Sequence, residues 1–92
     1  MKKITMFYLD GCPYCRNARK AIEELKNENP SFANIEIDMI EESEHPEISD
    51  NYDYDHVPCL YISRDKLYEA YPGQSYDDIK RNIQTVFTKA LS

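Results

Sequence analysis

Asp10-Gly11-Cys12-Pro13-Tyr14-Cys15-Arg16 decides how this chain is to be read. It lies between an apolar run (Ile4, Met6, Phe7, Tyr8, Leu9) and a helical repeat of Ala18, Ala21, Ile22 and Leu25. Two thiols separated by two residues can close a small disulfide or hold a metal, and inside a strand–helix–strand pattern the redox reading leads. Gly11 lets the chain turn out of the strand, and Pro13 suits the first helical position, where no backbone N–H is needed. Cys12 is then expected at the N-cap. There it faces the open amides of the first turn and the positive end of the helix dipole, which favour negative charge on sulfur. Cys12 is the expected nucleophile, with Arg16 adding positive charge if its side chain turns that way. Cys15, one turn inside and more buried, is the expected resolving thiol.

Working outward, 92 residues make one domain, 1–92, with enough apolar content (41%) for a single core and none left for a second. A formal charge of −6 and a pI near 4.8 argue against nucleic acid or an anionic membrane surface as partner. Met1-Lys2-Lys3 precedes only a short apolar run broken at Asp10, so neither a secretory leader nor a transmembrane helix is expected. That places the three cysteines in a reducing cytoplasm, where such pairs are catalytic or metal-binding more often than structural. A monomer is expected.

Lys3 to Leu9 reads as an interior strand covered on both faces. After the dithiol, Ala18, Ala21, Ile22 and Leu25 fall at i, i+3, i+4 and i+7, opposite a charged face, which predicts an amphipathic helix. Asn27 to Ser31, with Pro30, ends it. Ala33 to Met39 alternates around Ile35 and Ile37 and predicts a half-exposed edge strand, parallel to the first in a right-handed βαβ unit. Glu41, Glu42, Glu44 and Glu47 read as a solvated acidic face, and Pro46 opens a short helix to about Tyr52. Cys59–Ser63 and Lys66–Tyr71 form a hairpin turning near Arg64-Asp65. Ser75 and Asp78 resemble a capping box ahead of a final helix striped by Ile79, Ile83, Val86, Phe87 and Ala90. Tyr8, Tyr61, Tyr68 and Tyr71 suit core or sheet surfaces.

This order, α/β with a βαβ unit, a short helix and then ββα, resembles the thioredoxin fold: a four-stranded mixed sheet flanked by helices. Cys12-Pro13-Tyr14-Cys15 is similar to the motif of dithiol glutaredoxins, and the likeness spans the whole chain. The resemblance implies a thiol–disulfide oxidoreductase. It also implies that Val57-Pro58 is a cis bond beside the dithiol, with the Val57 backbone pairing with the cysteinyl part of a substrate. A proline entering an interior strand otherwise removes a needed ladder bond. Tyr14, expected to be exposed between the cysteines, and Asp77, at the start of the last helix, are the remaining candidate substrate contacts. The expected partners are disulfide-bearing proteins. Glutathione is a possible co-substrate, and a thioredoxin-reductase-like flavoenzyme is the alternative electron donor.

Two departures keep the donor open. Leu9, Asp10 and Gly11 stand where the family carries a Lys that meets a glutathione carboxylate. The family's Gly-Gly and Asp pair is stretched here to Gly73-Gln74-Ser75-Tyr76-Asp77-Asp78. The same thiols also allow a metal or iron–sulfur carrier. Cys12, Cys15, His56 and Cys59 form a possible zinc set, but strand alternation turns Cys59 away from Pro58 and into the core. The rigid Pro13 disfavours a bridged cluster, so no bound metal or cofactor is expected. His56 reads as a surface residue, with an imidazolium beside Cys12 as the functional alternative.

Overall fold

The computed structural model describes residues 1–92: β1 (Ile4–Tyr8), α1 (Pro13–Glu28), β2 (Ile37–Glu41), α2 (Pro46–Ser49), β3 (Cys59–Ile62), β4 (Asp65–Glu69) and α3 (Tyr76–Leu91). A short 3-10 turn at residues 30–32 follows α1. The sheet order is β2-β1-β3-β4, with β1 and β2 parallel and the other pairs antiparallel. This is the expected mixed sheet, with β1 and β3 in its interior and β2 at an edge.

Alternation along the strands distributes the core. Ile4, Met6 and Leu60 face the helices, where they meet Ala18, Ala21 and Leu25 of α1 and Ile79, Ile83, Val86, Phe87 and Ala90 of α3. Fully burying each larger side chain is worth about 1.5–3 kcal/mol. Phe87 also meets Phe32 edge-on at 5.3 Å. Ile22 of the α1 stripe is only half-buried, at the margin of this layer. The capping box forms as expected: Ser75 Oγ accepts the Asp78 N–H at 3.1 Å, and the Asp78 carboxylate accepts the Ser75 N–H at 3.5 Å.

The opposite face departs from the single-core expectation. Phe7, Cys59 and Tyr61 make a second, smaller cluster, covered by Tyr52, Tyr54 and Val57. Tyr54 stacks on Phe7 at 5.0 Å and Tyr52 tilts against it at 4.8 Å. The physical cause is that interior strands bury both faces, and α2 is too short to cover the second one. Tyrosines of the segment before Val57 do so instead.

Boundaries shift for similar reasons. β2 begins at Ile37, not Ala33, because Ile35 is a buried loop anchor whose carbonyl accepts the Lys26 ammonium at 2.8 Å. α2 stops at Ser49, although two further turn bonds, from Asn51 N–H to Ile48 and from Tyr52 N–H to Ser49, carry the coil on. β4 ends at Glu69, which leaves Tyr71 58% exposed rather than in a core or sheet surface.

Candidate active site

The dithiol turn is built from both ends. Gly11 adopts φ 85°, a left-handed conformation that side chains disfavour. Cys12 is the N-cap of α1 and Pro13 its first residue; the Cys12 side chain caps no amide, so the first-turn N–H groups stay open. Three bonds hold the turn. Cys12 N–H donates to Leu9 O at 3.3 Å, Leu9 N–H to Cys15 Sγ at 3.5 Å, and Asp10 N–H to Glu41 Oε2 at 3.1 Å.

The two sulfurs occupy different environments. Cys12 is half-exposed and its Sγ lies 4.0 Å from the carbonyl oxygen of Val57. Cys15 is buried, and burial pushes its thiol up to about 12. The Leu9 amide pulls the other way, while hydrogen bonding and charge from Cys12 add to the rise. One thiol is therefore presented to reagents, and the other keeps its proton beneath it.

The Val57–Pro58 bond is cis, as the resemblance implied. Pro58 itself is fully buried, so Val57 forms the surface of this edge. The Val57 N–H has no hydrogen-bond partner in the protein. Tyr14 is half-buried rather than exposed: its ring packs on the main core and its hydroxyl accepts the Gly73 N–H at 2.7 Å, tying the first turn of α1 to the approach to α3. Asp77 is exposed in the first turn of α3. Arg16 is exposed; Arg19, not Arg16, lies near Asp10, at 3.9 Å.

The four possible zinc ligands are not assembled. Cys59 lies in the second cluster on the far face, pushed up to about 12 chiefly by burial, with the Glu69 charge adding. The exposed His56 ring faces Glu69 at 3.4 Å. Asp10, Glu41 and Glu44 do bring carboxylate oxygens within ligating reach of one another, but the Glu41 oxygens are already engaged.

Glu41 corrects the reading of the acidic run as a solvated face. It is 7% exposed and also accepts the Ser43 N–H at 2.7 Å, the Ser43 hydroxyl at 2.6 Å and the Glu44 N–H at 3.3 Å. These donors, the Ser43 hydroxyl foremost, hold its carboxyl below the ordinary 4.5. Nothing in the local pattern separates Glu41 from Glu42 or Glu44. What does is the parallel register of β1 and β2, which sets Glu41 opposite Tyr8, just before the dithiol turn.

A family profile described as glutaredoxin matches residues 4–67, from β1 through the dithiol to β4. The chain belongs to the glutaredoxin family. A thioredoxin of Methanocaldococcus jannaschii is 33% identical over 63 residues, covering 68% of this chain and 72% of that one. Among solved structures, thioredoxin 1 of Thermosipho africanus superposes with a TM-score of 0.60 at 18% identity, over 98% of this chain and 99% of that one. A mutant thioredoxin of Halobacterium salinarum gives 0.56 at 21% identity, over 89% of this chain and 71% of that one. This glutaredoxin-like chain thus has the thioredoxin fold and, by family, is a thiol–disulfide oxidoreductase. Its dithiol sits where β1 passes into α1, beside the Val57 edge.

Proposed function

We propose that this protein reduces protein disulfides, with Cys12 as nucleophile and Cys15 as resolving thiol. The observation that carries the reading is the half-exposed Cys12 sulfur at an open helix end, over a buried Cys15 and 4.0 Å from the carbonyl oxygen of Val57, whose N–H no protein group uses. The Cys12 thiolate attacks one substrate sulfur, forming a mixed disulfide and releasing the other sulfur as a thiolate. Once bonded, Cys12 no longer contributes the charge that helped hold the proton on Cys15. Cys15 gives that proton to the departing substrate sulfur and attacks Cys12 Sγ. The Cys12–Cys15 disulfide forms and the second substrate thiol leaves, so the substrate gains two electrons and the protein loses them. The Val57 backbone holds the extended segment around the substrate cysteine, on the buried platform of Pro58, with Tyr14 and Asp77 flanking the groove.

Asp10 favours a flavoenzyme of the thioredoxin-reductase type over glutathione as donor. Its carboxylate is well exposed two residues before Cys12 and only loosely paired, with Arg19 at 3.9 Å, so it opposes the carboxylates of a glutathione tripeptide there. The setting is a reducing cytoplasm, and the protein works as a monomer without a bound cofactor. In the test, Cys12→Ser abolishes disulfide reduction, whereas Cys15→Ser accumulates a mixed disulfide through Cys12. Turnover of protein disulfides by both variants would overturn these roles. NADPH oxidation through thioredoxin reductase, compared with glutathione plus glutathione reductase, decides the donor. A coloured, metal-bearing protein after anaerobic purification would favour a cluster carrier instead.

A further inference from the structure

We infer that Glu69, at the end of β4, is a positioning residue that sets the substrate-docking edge by holding the two amides that precede Val57. The inference rests on the proposed docking role of Val57.

Residues 53–57 lie outside every helix and strand, and none of their amides donates to a backbone carbonyl. Side chains of the β3–β4 hairpin hold this segment in place. Tyr61 donates its hydroxyl to Asp53 O at 2.6 Å, and the Lys66 ammonium reaches the same oxygen at 3.1 Å. Arg64 donates to Asn51 O at 2.6 Å while its guanidinium lies 4.4 Å from the centre of the Tyr52 ring.

The last hold before Val57 is Glu69. One oxygen, Oε2, accepts both the Asp55 N–H at 2.9 Å and the His56 N–H at 3.0 Å; the other accepts from Lys66 at 2.7 Å. Burial opposes ionisation of this carboxyl, but Lys66 and the two amides outweigh it and take it to about 2. Two consecutive amides on one charged oxygen fix the peptide planes entering Val57. The next N–H in the chain, that of Val57, is left without a protein partner. Hydrogen bonds to a charged acceptor are stronger than those to a neutral one, which favours one loop geometry. A substrate backbone then meets an edge that is already arranged.

The experiment compares two disulfides on reduced protein: an extended peptide mixed disulfide long enough to lie along Val57, and hydroxyethyl disulfide, which has no backbone to pair. Glu69→Ala lowers the peptide-to-small-disulfide ratio of kcat/KM about tenfold, through KM, as the docking-ready loop falls to about a tenth of its population. Amide hydrogen exchange on Cys15→Ser, free and trapped with the peptide, supplies the second measurement. The Asp55 and His56 amides are protected in both states, and the Val57 amide gains protection only in the complex. A Val57 amide that stays unprotected in the complex overturns the docking reading itself. Protection of Val57 in the complex combined with an unchanged ratio in Glu69→Ala overturns the role of Glu69 alone. Equal losses on both substrates would reduce Glu69 to a general structural part, which also overturns the inference.

Discussion

Cys12→Ser leaves Cys15 and Cys59 as the only thiols, 1% and 0% exposed. Both are pushed from the ordinary 9.0 up to about 12, chiefly by burial. At neutral pH that interval means about 10³-fold less thiolate than an ordinary cysteine. A thiolate of higher pKa is the better nucleophile, and a Brønsted slope of about 0.4–0.5 returns roughly 20-fold. Ionisation alone therefore slows attack on an aromatic disulfide such as dithionitrobenzoate by about 50-fold. Losing Cys12 removes two influences that raise Cys15, its hydrogen bond and its charge, but burial remains the larger cause. Restricted access slows both thiols further. In a stopped-flow assay on fully reduced protein at pH 7, wild type shows one fast thiol, and the variant shows none until denaturant is added. A fast thiol retained in Cys12→Ser at the wild-type rate would refute the assignment of an outer attacking sulfur over a shielded partner.

Other outcomes follow from the same geometry. Phe87→Ala empties a site with no exposed surface and costs about 3–5 kcal/mol, which lowers Tm by more than about 10 °C in thermal melts of a domain this size. Ser75→Ala removes one half of the capping box; about 1 kcal/mol is lost, and Tm falls by about 4–8 °C. Glu69 is ionised in the folded state down to about 2, against 4.5 ordinarily. Its contribution to stability is therefore full above about pH 4.5 and disappears as pH falls through about 2, so the Tm gap between wild type and Glu69→Gln closes across that window. His56→Ala leaves small-disulfide reduction unchanged, because its ring faces Glu69 rather than the dithiol; slowed turnover would return the imidazole to the chemistry.

The chain itself determined whatever depends on neighbours within a turn or a strand. Gly11 and Pro13 bracket Cys12 at a strand-to-helix turn, and the spacing of Ile79, Ile83, Val86 and Phe87 defines the buried stripe of α3. Ser75 and Asp78 announce where that helix starts, since a cap needs only residues three apart. These are local periodicities and local hydrogen bonds, so they can be read along one dimension.

Only the tertiary structure decided which of several similar residues does what. Glu41 is chemically no different from Glu42 or Glu44, yet parallel pairing with β1 lays its carboxylate against the Asp10 amide. Glu69 reads as one more charge in a hairpin until the segment before Val57 folds back over β4, bringing amides fourteen and thirteen residues away onto one oxygen. Tyr14 turns inward because Gly73, fifty-nine residues on, offers its N–H there. Tyr52 and Tyr54 become core because interior strands expose a second face that α2 leaves uncovered. In each case the deciding partner is distant in sequence, and burying apolar area while satisfying every amide is a condition on the folded whole.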